Sequence, residues 1–108
     1  MFIHNMTLVL NTYEDLNKIN NNIHTLTFGS YFDQPIKNVK WPKSLTTLTF
    51  NEYFNQPIEN VKLPDSLTTL TFGYNFNQPI ENVEWPESLT TLIFNEDSLF
   101  NQPIENAK

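Results

Sequence analysis

The chain has 108 residues, the size of one ordinary domain, and carries 12 acidic against 6 basic residues for a formal net charge of −6. That balance argues against a nucleic-acid or anionic-membrane surface, because both require clustered Lys and Arg. The absence of Cys excludes a disulfide framework, a zinc knuckle and a thiol nucleophile, and no apolar run approaches the ~20 residues that span a bilayer.

Residues 1–22 open without a basic leader, so a cytoplasmic protein is expected. Thr7-Leu8-Val9-Leu10 resembles Thr25-Leu26-Thr27-Phe28 at an offset of 18 residues, which predicts a degenerate first coil. Residues 12–19 follow as a short helix, with Thr12 as N-cap and Asp15 three residues on as its capping-box partner. Such a segment shields the first hydrophobic layer, as a terminal cap must.

From Ile23 a 22-residue unit repeats, dividing the chain into 23–44, 45–66, 67–88 and 89–108. In the second unit the apolar positions are Leu45, Leu48, Phe50, Phe54, Ile58, Val61 and Leu63, which form no helical stripe. Residues 45–50 and 58–63 share the form apolar-x-x-apolar-x-apolar and are rich in Thr, Val, Ile and Phe. The expectation is a mainly β chain, a short parallel β-solenoid with two short strands per 22-residue coil. Each strand would stack on the next coil at ~4.8 Å, with right-handed crossovers.

All seven prolines fall at two positions of the unit, before and after the second predicted strand, and mark corners because proline cannot donate to a ladder. The site after the first strand alternates Gly29, Asn51, Gly73 and Asn95, the residue types that most readily take positive φ, so a left-handed turn is expected there. Asp33, Asn55, Asn77 and Asn101 recur before a corner proline. Stacked copies are expected to form a ladder in which their side-chain oxygens accept from backbone amides. Ser44, Ser66 and Ser88 are assigned to turn hydrogen bonds.

The last unit has two extra residues between Phe94 and Phe100. Leu92, Phe94, Ile104 and Ala107 are expected to face solvent or a partner, which makes the C-terminal coil a candidate surface for a homo-oligomer or for joining a longer array.

The strings Phe-Asn-Gln-Pro-Ile at 54–58, 76–80 and 100–104, with Phe-Asp-Gln-Pro-Ile at 32–36, resemble the FNIP repeat. That repeat is known from amoebal and giant-virus proteins and is regarded as related to leucine-rich repeats. The resemblance covers residues 23–108 and implies a leucine-rich-repeat-like protein-interaction array, in host cytoplasm if viral. It also implies, for some members, an N-terminal F-box that recruits a ubiquitin ligase; the 22 residues before the first unit are too few for that domain, which leaves the substrate-binding half of such an adaptor.

No catalytic constellation is expected. His4 and His24 both lie near the N-terminal cap without a partner at a signature spacing, no cofactor is implied, and aligned carboxylates without converging carbonyls make a poor metal site. The candidate partner-binding surface is the outward side of the second predicted strand. It comprises Lys37, Asn38 and Lys40, then Glu59, Asn60 and Lys62, then Glu81, Asn82 and Glu84, then Glu105, Asn106 and Lys108. In a leucine-rich-repeat arrangement these side chains would line the exposed sheet and meet a protein with basic groups. Two alternatives stand beside this reading. One is an ice- or polymer-surface binder using the Thr-x-Thr ladder of Thr25 and Thr27, Thr47 and Thr49, Thr69 and Thr71, and the other is a self-assembling structural repeat.

Overall fold

The computed structural model describes residues 7–95 and 97–102. Five strands form one parallel sheet in sequence order: β1 (Thr7–Leu10), β2 (Thr25–Phe28), β3 (Thr47–Phe50), β4 (Thr69–Phe72) and β5 (Thr91–Phe94). The register pairs Thr25 with Thr47 and Thr47 with Thr69, one repeat apart, whereas Thr7 pairs with Thr25 across the shorter offset of the degenerate first coil.

One strand forms per coil, not two. The segment at 58–63 makes a turn, in which the Val61 amide donates to the Ile58 carbonyl at 3.1 Å, with equivalents from Val39 to Ile36 and from Val83 to Ile80. Bonding within the coil removes these groups from any ladder to the next coil. The apolar residues at the first and fourth positions of the segment are the two ends of that turn, so both still point inward. A second turn follows the corner proline, where Leu45, Leu67 and Leu89 donate to Pro42, Pro64 and Pro86. Each coil is thus one four-residue strand followed by turns.

The left-handed turn is also absent, since no described residue has positive φ. Glycine is required for a different reason. A Cβ on Gly73 would collide with the Asn51 carbonyl of the preceding coil, and one on Gly29 with the Asn11 side chain. The intervening Asn51 donates its Nδ2 to the Phe28 carbonyl at 2.8 Å. Glycine stands here because the coil before comes too close for a Cβ, with a side chain at Gly29 and with backbone at Gly73.

The core is a column of repeats. Leu26, Leu48 and Leu70 are fully buried beneath the strands, and two phenylalanine stacks run beside them. Phe28, Phe50 and Phe72 stack at 4.8 and 5.6 Å, Phe32, Phe54 and Phe76 at 6.4 and 6.1 Å, and Phe50 meets Phe54 at 4.1 Å. Such offset ring pairs contribute beyond the area they bury. The two-residue insertion is absorbed at the surface, because Phe100 still stacks on Phe76 at 6.1 Å. The loop it makes exposes Leu99, whose amide donates to the Tyr74 carbonyl.

At the N-terminal end the expected helix is a 3-10 turn, Tyr13–Lys18, with the Thr12–Asp15 capping box in place. Its Leu16 and Ile19 pack against the core. Two amides, from Asn11 at 2.8 Å and Thr12 at 3.1 Å, converge on Asp15 Oδ2, and Lys18 sits 3.1 Å from Oδ1. The Asn11 amide first, then Lys18, hold the Asp15 carboxyl at about 2.

Candidate functional site

The recurring Asn or Asp, Gln and Ser of the corners bond from coil to coil. Asp33 Oδ1 accepts from the Asn55 amide at 2.9 Å, Asn55 Oδ1 from the Asn77 amide at 2.9 Å, and Asn77 Oδ1 from the Asn101 amide at 3.1 Å. This is the acceptor ladder expected from the sequence, and it has a second rail. Gln56, Gln78 and Gln102 each donate Nε2 to the same oxygens. The glutamine is as regular as the asparagine, so the rail was visible in the repeat but had no assigned role.

The serines also reach between coils. Ser44, Ser66 and Ser88 donate their hydroxyls to the carbonyls of Ile23, Leu45 and Leu67 at 2.7, 2.5 and 2.6 Å. Thr46, Thr68 and Thr90 do the same to His24, Thr46 and Thr68. His24 is exposed and contributes its carbonyl to this column; His4 lies outside the described residues. On the sheet, Thr7, Thr25, Thr47, Thr69 and Thr91 align in one register row.

The predicted partner-binding residues do not line a sheet. Lys37 and Asn38, Glu59 and Asn60, and Glu81 and Asn82 occupy the middle of the turns at 36–39, 58–61 and 80–83, exposed apart from the half-buried Glu59, with Lys40, Lys62 and Glu84 just beyond them. Turns replace strands there for the reason given above, so the surface is a column of turns on the side of the coil away from β2–β5. One bond joins its rows, from the Asn82 amide to Glu59 Oε2 at 3.0 Å. Glu105, Asn106 and Lys108 fall outside the described residues. Among those described, the one ion pair is Asp15–Lys18. The charges of the turn face thus form no ion pair among the described residues, although Lys37 precedes Glu59, and Lys62 precedes Glu84, by one repeat.

Two further features were not singled out from the sequence. A groove of about 660 Å³ opens on the turn face between Val39 and Trp41 of one coil and Leu63 and Pro64 of the next, with Lys43, Lys62 and Asp65 at its edge. The signal for it was the substitution of Leu63 between Trp41 and Trp85 in an otherwise constant register. At the corner after the strands, Tyr31 and Tyr53 stack at 5.2 Å on the surface, with Tyr31 82% exposed. No three His, Asp or Glu side chains converge among the described residues, and none of the helices there is long and apolar enough to cross a membrane.

A parallel sheet stacked one strand per coil over a single apolar column, with side-chain ladders joining the coils, defines a β-solenoid of the leucine-rich-repeat type. The FNIP Repeat family profile matches residues 15–53, 54–97 and 76–107, and the chain belongs to that family. Among solved structures it is similar to CroV588, described as a novel circular LRR protein and coming from a giant virus, at 54% identity and a TM-score of 0.65. The similarity covers 76% of this chain and 12% of that one, so the chain spans a small part of that protein's length. A comparison with curated proteins gave no significant match. Repeat folds of this kind are generally protein-interaction scaffolds.

Proposed function

We propose that the protein is a non-enzymatic recognition scaffold in the cytoplasm, or the host cytoplasm if viral, and that its partner is a protein bound on the turn face. The units at 23–44, 45–66, 67–88 and 89–108 would present that face, with residues 1–22 as a cap. What carries this reading is a contrast within the coil. The repeated Asn or Asp, Gln and Ser of the corners bond between coils, whereas Lys37, Lys40, Lys62, Glu81 and Glu84 are exposed and without an ion-pair partner among the described residues. Charges left unpaired in register supply the orientation and specificity of a protein interface more than its raw affinity. In the ligase-adaptor setting that the family resemblance implies, this face would be the substrate-binding half.

The test is capture of a protein partner by the wild-type chain and by Glu59→Lys with Glu81→Lys. Capture should fall at least tenfold and should fall with added salt. Unchanged capture removes the reading. The aligned threonine row on the sheet supports a second reading, an ice- or polymer-surface binder. Thermal hysteresis abolished by Thr47→Leu with Thr69→Leu is its expected signature, and no hysteresis in the wild type disposes of it.

A further inference from the structure

The charges of the turn face are graded along the stack. In the coil that follows β2, the three outward positions are Lys37, Lys40 and Lys43; in the β3 coil they are Glu59, Lys62 and Asp65; in the β4 coil they are Glu81, Glu84 and Glu87. The rows therefore carry +3, −1 and −3. At strand spacing the first and third rows stand only about 10 Å apart, within one Debye length in dilute salt. All nine side chains are exposed except Glu59, which is half-buried. In these three coils no other position of the unit exchanges Lys for an acid, and at these three every exchange runs in the same direction along the stack.

The apolar residues of the same face follow a different symmetry. Trp41, Leu63 and Trp85 occupy equivalent positions in the three coils, large, small, large, and both tryptophans are half-exposed. The groove at Leu63 is the dip between the coils that this pattern leaves. About the β3 coil, then, the apolar pattern is symmetric and the charge pattern changes sign. An isologous interface needs both properties, since a two-fold axis lying across the β3 coil sets apolar on apolar and positive on negative.

We propose that this face binds a second copy of the chain, in an antiparallel side-by-side dimer centred on the β3 coil. The inference rests on the reading of the turn face as the partner surface, and it names the partner's basic groups. Lys37, Lys40 and Lys43 of each copy meet Glu81, Glu84 and Glu87 of the other. Trp41 lies against the second copy's Trp85 on either side of the Leu63 dip. The middle row meets itself across the axis, Lys62 facing Lys62 with the second copy's Glu59 and Asp65 diagonal to it, so the attraction comes from the outer rows. The opposite arrangement, with coils in parallel, would set the lysine rows against each other and is disfavoured.

The experiment is sedimentation velocity on the full chain and on two charge-reversed variants, with circular dichroism confirming that each is folded. The wild type should dimerise in low salt, with association weakened at least tenfold by 0.5 M NaCl. Lys37→Glu/Lys40→Glu/Lys43→Glu should be monomeric, and so should Glu81→Lys/Glu84→Lys/Glu87→Lys. An equimolar mixture of the two variants should form a heterodimer, and a chain carrying both reversals should again self-associate. A wild type that stays monomeric at 500 µM in low salt overturns the dimer, as does a mixture that fails to associate. A monomeric wild type whose captured partner is still lost on Glu59→Lys with Glu81→Lys would overturn the dimer alone and leave the partner-binding reading standing.

Discussion

The two sides of each coil obey different rules. On the sheet side and in the core, equivalent positions keep the same residue type from coil to coil: Leu under the strand, Phe in two stacks, Asn or Asp and Gln in the ladder. On the turn face the backbone repeats as faithfully, yet the outward residues change sign and size. A position that must match its neighbour above and below is constrained by packing. One that faces only water is left to vary, and under the proposed function that variation is what a partner would read.

The contrast can be broken most severely at the phenylalanine stacks. Phe54→Ala removes a ring that touches Phe32, Phe50 and Phe76, and should cost about 3–5 kcal/mol of stability in urea unfolding. Gly73→Ala comes next. The new Cβ would collide with the Asn51 backbone, and a loss of roughly 1–3 kcal/mol is expected from forced displacement of the coil. If Gly73→Ala is neutral or stabilising, the close-approach account of the glycine is wrong.

The ladder offers a sharper comparison. Asn55→Ala strands the Asn77 amide and leaves Gln78 Nε2 with the Asn55 carbonyl alone, for an expected loss of roughly 1–3 kcal/mol. Asn55→Asp keeps the acceptor, as Asp33 does in the coil before, and should unfold near the wild-type midpoint. Equal damage from both would show that the amide nitrogen matters as well as the oxygen.

A smaller effect is expected at the N-terminal cap. The Asp15 carboxyl titrates at about 2 in the folded chain against 3.8 as a reference. Because its folded value is depressed, its contribution is present above 3.8 and is lost as pH falls toward 2. The Asp15→Asn variant should show less loss of stability across that window in acid unfolding, and the partial exposure of Asp15 beside an exposed Lys18 keeps the difference modest. Smallest of all should be the stability change on reversing a single charge of the turn face, such as Lys40→Glu, within about 0.5 kcal/mol. A larger loss there would mean that the face is part of the scaffold.

By itself the sequence determined the period, the core positions, the corner prolines, the Thr12–Asp15 cap and the acceptor role of Asn55 and its equivalents, because each rests on a residue type that one local geometry demands. The tertiary structure alone decided three things. It made residues 58–63 a turn, since an apolar residue at the first, fourth and sixth positions satisfies a turn and a strand entry equally, and only the partner of the Val61 amide separates them. It assigned Gly73 to close approach in place of a left-handed bend, because its neighbour in space is Asn51, a whole coil away in sequence. And it turned a run of Lys and Glu exchanges into a graded surface, since charges a coil apart act on one partner only when the strands hold them in register a few ångströms apart.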